Sequence, residues 1–235
     1  MPGTPLRRSA SPTRLSIVMP ALNEAAGITA TLSALTSLRQ QGHQVIVVDG
    51  GSRDTTATLA AAHADRVLRC EPGRAAQMNT GAAAANGDVL LFLHADTRLP
   101  DDAAAAVRRA VQRGARWGRF DVTIEGRSAW LPVVSFMMNW RSRLTGIATG
   151  DQALFMQTAL FRELGGFAAL PLMEDIELTR RLRAISRPAC LRERVRTSGR
   201  RWDTRGAWPT IWLMWTLRWR YWRGTPAAEL ARAYR

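Results

Sequence analysis

Lysine is absent: all 33 basic residues are arginine. With alanine abundant, that choice reads as genomic base composition, and it leaves every cationic contact to a guanidinium. Cysteine is nearly absent too. Cys70 and Cys190 show no metal-ligand spacing and form at most one pair, which excludes a zinc site or a disulfide framework. They read as core thiols of a reducing compartment. No stretch reaches the ~18–20 uninterrupted apolar residues that cross a bilayer, so a spanning helix is excluded. The first 14 residues carry Arg7, Arg8 and Arg14 among Pro, Ser and Thr without an apolar segment. Residues 1–14 therefore read as a flexible basic tail and not as a signal peptide. No internal repeat is visible.

The charge is lopsided. Residues 180–235 hold 15 arginines against Glu193, Asp203 and Glu229, leaving +12, whereas residues 1–179 hold 18 arginines against 16 acids, leaving +2. Base composition explains arginine in place of lysine but not this clustering. A basic end implies an anionic partner: lipid head groups, nucleic acid or a phosphorylated substrate. At 235 residues the chain can bury one sizeable core, so one domain with appendages is expected.

Leu15–Met19, Val45–Val48, Val67–Cys70 and Val89–Leu93 are short apolar runs bounded by turn residues, the pattern of buried strands in a parallel sheet. Helical spacing fills the gaps at 25–41, Thr55–His63, Arg74–Ala85 and from Pro100 to about Gly114. Strand and helix alternate, which predicts an α/β fold with a mostly parallel sheet and right-handed crossovers. After residue 115 the pattern loosens into a strand at Trp117–Ile124, a helix at Leu131–Leu144, a strand at Ala153–Met156, a helix at Thr158–Leu164 and a charged helix at Asp175–Ala184. This half reads as a lid and acceptor side, with no linker to separate it.

Ligands of such sheets sit beyond the carboxyl ends of the strands, and polar loops occupy those ends here. Pro20 frees the end of the first strand from ladder bonding, and Asn23 with Glu24 offers acceptors to a base or ribose edge. The same pair also suits a helix N-cap with an acid in the first turn. Asp49 stands at the tip of the second strand, where it can accept from a base N–H, and Gly50-Gly51 lets the backbone turn sharply. Asp54 fits capping. Gly73-Arg74 opens a helix whose N-terminus and guanidinium attract phosphate oxygens, and Asn79 can close over the base. His94 and Asp96, two residues apart at the end of the fourth strand, point the same way. A carboxylate and an imidazole together can hold Mn²⁺ or Mg²⁺, with a diphosphate filling the remaining positions. Glu174-Asp175 opens a helix. One of the two can deprotonate an acceptor hydroxyl, although both also complement the helix dipole.

Taken in order, Pro20-x-x-Asn23-Glu24, Asp49-Gly50-Gly51-Ser52-x-Asp54, Gly73…Asn79-x-Gly81, His94-Ala95-Asp96, Gly165-Gly166-Phe167 and Glu174-Asp175 resemble the family 2 glycosyltransferases, in a short single-domain subgroup. The resemblance runs from about Leu15 to Leu182. It implies a GT-A fold, with a Rossmann-like sheet flanked by helices, and inverting transfer from a nucleoside diphosphate sugar to an acceptor hydroxyl. By the same resemblance Asp49 contacts the base, Asp96 holds a divalent cation, Asp175 is the catalytic base and Glu174 orients it. Gly150-Asp151-Gln152 would line the acceptor side. Arg200-Arg201-Trp202 is similar to a basic-aromatic motif that covers the diphosphate. His94 departs from the pattern, where the family usually has aspartate. The implied organisation is a transferase domain at 15–205, with a nucleotide-binding half at 15–99 and an acceptor half at 100–205.

Residues 206–235 form a Trp/Arg-rich helical extension. Trp208, Trp212, Trp215, Trp219 and Trp222 are spaced four, three, four, three, along one helix face, flanked by Arg218, Arg220 and Arg223. Trp favours the membrane–water interface and Arg pairs with anionic lipid heads. Residues 208–223 are thus expected on an anionic membrane, with a lipid-linked or apolar acceptor and a cytoplasmic, inner-face location; packing on the domain or on a second copy is the other use of such a stripe. Nucleic acid is not expected as a partner, because the aromatics are not interleaved with the basic residues along a groove. A sugar-phosphate nucleotidyltransferase needs a glycine-rich basic loop after the first strand, and Pro20-Ala21-Leu22-Asn23 is a poor one. A non-catalytic nucleotide-sugar binder is the remaining alternative.

Overall fold

The computed structural model describes residues 13–234, so most of the 1–14 tail lies outside the described residues. The chain runs β1 (Leu15–Ala21), α1 (Ile28–Ser33), α2 (Thr36–Gln40), β2 (Gln44–Asp49), α3 (Thr56–Ala61), β3 (Arg66–Arg69), α4 (Arg74–Ala83) and β4 (Val89–Phe92). It continues through β5 (Thr97–Arg98), α5 (Ala103–Gln112), β6 (Trp117–Glu125), α6 (Leu131–Thr145), a 3₁₀ turn (Gly150–Gln152), β7 (Phe155–Gln157) and α7 (Thr158–Glu163). Last come α8 (Glu174–Ile185), β8 (Ala189–Ser198), α9 (Arg200–Arg205), α10 (Ala207–Trp222) and α11 (Ala227–Tyr234).

One sheet of eight strands has the order β3-β2-β1-β4-β7-β6-β8-β5. Strands β1 to β4 are mutually parallel, β7 is antiparallel to both its neighbours, and β8 runs parallel to β6. Alternate residues of the first strands feed two cores. Ile17, Met19, Val45, Val47 and Leu91 pack on one face under α1, α2, α3 and α5, while Val18, Ile46, Val48, Leu90 and Phe92 pack on the other under α4, α7 and α8. Burial on both faces is why these strands read as continuous apolar runs. Helix α4 approaches the sheet at Gly81, where a Cβ would lie 2.4 Å from Val18 Cγ1.

Three expectations need correction. The helix at 25–41 is two helices, because Thr29, Thr31, Ser33 and Thr36 weaken the run and the Leu35 N–H closes on Leu32 O three residues back at 2.9 Å. Leu32, Leu35 and Leu38 are still buried. Strand β8 was not anticipated. Cys70 and Cys190 are free and only half-buried, since Cys70 follows the edge strand β3 and Cys190 lies in β8 near the other edge.

Candidate active site

A cavity of about 720 Å³ opens beyond the carboxyl ends of β1 and β4, and its far wall is formed by α9, α10 and α11. Of the residues expected at the site, Pro20, Glu24, Arg74, His94, Asp96, Asp151, Arg201 and Trp202 line it. Asn23, Asp49, Asn79, Glu174 and Asp175 are not among the lining residues.

Those five are placed by their hydrogen bonds. Asn23, at φ 55°, donates its N–H to Ser52 Oγ at 2.9 Å and accepts Arg53 N–H on Oδ1 at 2.9 Å, tying the two loops together. Asp49 is fully buried; its carboxylate accepts Ser52 N–H at 3.1 Å and pairs with Arg69 at 3.4 Å, so it braces the loop it ends. Asn79 clamps the Gly165-Gly166-Phe167 turn: Nδ2 donates to Phe167 O and Oδ1 accepts Phe167 N–H, both at 2.9 Å. Its amide is spent on that turn, where Gly166 at φ 76° leaves room for it.

Glu174 and Asp175 open α8 just beyond the cavity. Asp175 Oδ2 accepts Gly150 N–H at 2.8 Å and Oδ1 accepts Ile176 N–H at 2.7 Å, so both oxygens are oriented and each keeps a free lone pair. Glu174 is 4% exposed. Burial first, and then the charge of Asp175, push its pKa up, against the pull of Arg74. Arg74 lines the cavity with part of its surface open to solvent. Burial disfavours its charge, but Glu174, Asp151, Tyr234 and Asp175 outweigh that and raise its pKa.

His94 Nδ1 lies 3.2 Å from Asp151 Oδ1, and its Nε2 lies against Gly150, where a Cβ would be only 2.5 Å away. Nδ1 is thus turned to Asp151, while Nε2 packs against the Gly150 backbone. For Asp151 burial works upward, yet the hydrogen bond and charge of His94, with Arg74 and Arg218, bring its pKa down to about 2. Asp96 is different. Its only side-chain hydrogen bond among the described residues is a long one, 3.5 Å from Thr97 Oγ1. Glu24 faces it: burial first raises the Glu24 pKa, Arg200 at 3.6 Å opposes, and Asp96 adds to the rise.

No group of three or more His, Cys, Asp or Glu converges as a metal cage among the described residues. A free carboxylate with a second one nearby does fit Mg²⁺ or Mn²⁺ as it travels with a diphosphate, since such ions keep waters and phosphate oxygens and need one or two protein carboxylates.

Several site residues were missed in the sequence. Gln77 is buried and donates Nε2 to Ala21 O and Val48 O, both at 2.8 Å, pinning the ends of β1 and β2. Tyr234 of α11 lines the cavity and lies under the Arg201 guanidinium at 3.9 Å. Arg141 of α6 and Arg218 of α10 stand near Asp175. Only helical spacing could have signalled these last two, and that signal needs knowledge of which helix faces meet.

The family model for glycosyl transferase family 2 matches residues 16–162. An uncharacterized glycosyltransferase of Mycobacterium tuberculosis is 35% identical over 83 residues, which is 35% of this chain and 36% of that one. The chain thus spans about a third of that relative's length. An undecaprenyl-phosphate 4-deoxy-4-formamido-L-arabinose transferase of Pseudomonas paraeruginosa is 30% identical over 161 residues, 61% of this chain and 46% of that one. Among solved structures, a mannosyltransferase of Pyrobaculum calidifontis in complex with GDP-Man and Mn²⁺ superposes with a TM-score of 0.66 at 20% identity, covering 96% of this chain and 70% of that one. At that identity the likeness speaks for the fold alone, a curled and mostly parallel GT-A sheet. With the family model covering well over half of its length, the chain belongs to glycosyl transferase family 2.

Proposed function

We propose that the chain moves a sugar from a nucleoside diphosphate sugar to an acceptor hydroxyl with inversion, using a divalent cation. The observation that carries this reading is the single cavity in which the Asp96 and Glu24 carboxylates face Arg74, Arg200 and Arg201, with the Glu174-Asp175 helix start behind it. Pro20 and Glu24 meet the nucleoside, and Arg74, Arg201 and Trp202 enclose the diphosphate, while Asn23, Asp49 and Asn79 hold the loops in shape. Asp96 is the proposed metal ligand, and His94 holds Asp151. When bound, the cation neutralises charge on the leaving diphosphate. Asp175, oriented by two backbone N–H groups, takes the proton of the acceptor hydroxyl as it attacks. Glu174, held toward its neutral form, limits repulsion beside that carboxylate.

Measuring nucleoside diphosphate release across a panel of sugar nucleotides with Mn²⁺ tests the proposal. A cognate donor should be turned over with metal and spared with chelator. Asp96→Ala should abolish turnover while the melting temperature holds, and full turnover by that variant refutes the assigned ligand.

We also propose that the acceptor is lipid-linked and that the chain rests on a membrane surface. Trp208, Trp212, Trp215, Trp219 and Trp222 are 59–79% exposed, and Val133, Phe136, Met137, Trp140 and Leu144 of α6 add a second exposed stripe. The Trp130–Trp208 ring contact at 5.0 Å joins the two. Such a patch exceeds the scattered apolar exposure of an ordinary surface. One relative's name specifies undecaprenyl phosphate, which agrees with an amphiphilic acceptor. No helix of the described residues is long and apolar enough to cross a membrane. Because α10 and α11 wall the cavity, the test is vesicle co-sedimentation of full-length Trp212→Ser/Trp219→Ser, not of a truncated chain. Unchanged partitioning refutes the membrane contact.

A further inference from the structure

Arg201 stands on α9, a six-residue helix with no buried residue of its own. Trp202 packs against the main core and Asp203 accepts the Arg127 N–H at 2.8 Å, which anchors the helix on those sides. The Arg201 side chain lines the cavity, yet among the described residues it forms no hydrogen bond or ion pair, and its Nη1 is buried without a partner. A buried unpaired donor on a cation is costly, and a native site that keeps one is shaped for an incoming acceptor. A long side chain that must wait in one geometry loses rotamer freedom, so another group has to hold it there.

That group comes from α11. Arg201 Cζ lies 3.9 Å from the centroid of the Tyr234 ring, which also lines the cavity. At that distance the guanidinium rests on the aromatic face and keeps its N–H edge free for an anion. Burial chiefly raises the Tyr234 pKa, Arg201 and Arg74 oppose it, and Asp151 and Asp175 add to the rise. The phenol therefore stays neutral, and the contact joins a cation to a ring face. Its hydroxyl makes no hydrogen bond among the described residues, so the ring is what Tyr234 offers.

The ring is itself well fixed. Gly224, at φ 90°, follows α10, and the Leu230 N–H closes on Pro226 O as α11 begins. Ala227, Leu230 and Tyr234 share one face of α11, three and four residues apart. On that face Leu230 is fully buried in a cluster with Leu217 of α10 and with Met173, which immediately precedes Glu174. Glu229 pairs with Arg220, and Arg205, at the far end of α9, donates Nη1 to Tyr234 O at 3.4 Å. Helix α9 thus meets α11 at two points, and one of them is the cavity arginine.

We propose that Tyr234 is a positioning residue for donor binding: its ring holds the Arg201 guanidinium toward the diphosphate, which makes α11 part of the donor site. This rests on the transferase reading above and deepens it, since Tyr234 acts through Arg201. A contact of this kind is worth about 2–30-fold in affinity. Undocking α11 weakens the donor by that factor, so by linkage a bound nucleotide slows the opening of α11 equally.

The test is calorimetric binding of UDP, GDP, ADP, CDP and dTDP, each with Mn²⁺, to the full chain. For a nucleotide that binds, Tyr234→Leu keeps an apolar side chain without a ring face and should weaken it about fivefold or more, whereas Tyr234→Phe should cost less than about twofold. In an Arg201→Met background the Leu substitution should add less than about twofold, because the ring then has no cation to hold. Unchanged affinity in Tyr234→Leu, or an equal loss with and without Arg201, overturns the proposal and leaves Tyr234 a filler of space. A Phe variant as weak as the Leu one also overturns it, because the effect then belongs to the hydroxyl. If Tyr234→Leu fails to fold, amide exchange of the wild-type chain replaces it. Amides of residues 231–234 should exchange about fivefold more slowly or better with nucleotide and Mn²⁺ bound, and unchanged exchange refutes the link. The two readings separate. A chain that binds nucleotide equally well without the Tyr234 ring loses only the positioning role. A chain that binds none of the five diphosphates loses the donor reading, and the positioning role falls with it.

Discussion

Gly150 touches both halves of the site, and a single methyl there is its most informative perturbation. Its N–H donates to Asp175, and its Cα faces the His94 ring. In Gly150→Ala the new Cβ would lie 2.5 Å from Nε2 and 2.7 Å from Cε1 of His94. Reaching an ordinary contact of about 3.4 Å requires the ring to retreat by roughly 0.9 Å. It cannot do so freely, because the side chain is 12% exposed and bound to Asp151. Overpacking of this kind costs about 1–3 kcal/mol. Gly150 is not in the left-handed region, so replacing glycine there also stabilises by about 0.4–1 kcal/mol through the unfolded chain. The clash wins. At about 2–4 °C per kcal/mol for a chain of this size, the net loss is of the order of several degrees in Tm.

Activity should suffer more than stability. A displacement near 1 Å in a catalytic arrangement costs about 10²-fold. Gly150→Ala is therefore expected to lower kcat by roughly that factor, read as nucleoside diphosphate release. Removing the ring in Gly150→Ala/His94→Ala takes away the clash, so the double variant should regain part of the lost Tm, with a coupling of about 0.5–3 kcal/mol between the two sites. Wild-type Tm and wild-type turnover in the single variant, or strict additivity in the double, would show that Gly150 does not seat against His94.

Three further expectations follow from the same geometry. Asp175→Asn should lower kcat by about 10²–10⁴-fold and cost about 1–3 kcal/mol of stability, since the amide keeps one acceptor for two backbone donors and turns its NH2 against the other; substantial residual turnover refutes the base assignment. Arg119 is fully buried and binds Asp121, Ser142 Oγ and Asn139 O, so Arg119→Met should cost about 3–5 kcal/mol in urea unfolding, and a loss under about 1 kcal/mol refutes its role in fixing α6 to β6. The folded Asp151 pKa of about 2 lies below its ordinary 3.8, so its contribution to stability is complete above pH 3.8 and lost as pH falls through 2. His94→Ala should flatten the acid arm of the stability profile in that window, and an unchanged arm refutes the pairing.

The parallel half of the fold was legible because β1, β2 and β4 are buried on both faces, which leaves no ambiguity of period. Strand β8 was not, although its signal is present. Arg192, Arg194, Arg196 and Ser198 are exposed while Val195 and Thr197 are buried, a period of two hidden inside what reads as a basic cluster. The site shows the same division. Glu24, Arg74, Asp96 and Asp151 were expected at one cleft from their chemistry and loop position, and all four line the cavity. Asn79 was not legible, because an amide can bind a base or a backbone with equal ease, and only the fold shows that Phe167 already occupies it. Gln77 was invisible for the same reason.

Helix α10 carries that division to its furthest point, and it sharpens the membrane proposal. The tryptophan stripe is exposed, but its three flanking arginines do not form one lipid-facing set. Arg218 turns toward Asp175 and Asp151, and Arg220 pairs with Glu229 of α11. Only Arg223 stays with the stripe, 5.5 Å over the Trp219 ring. Attraction to the membrane should then come from indole insertion more than from charge. Each indole buries of the order of 60 Å² on half insertion, so Trp212 and Trp219 together contribute about 3 kcal/mol, roughly a hundredfold in partitioning. Raising salt to 0.5 M, where exposed charges are screened within a few ångströms, should weaken vesicle binding by less than about fivefold. Arg223→Ser should do no more than that. If salt releases the protein as completely as the loss of both tryptophans does, charge and not insertion holds it to the surface, and the stripe needs a protein partner instead.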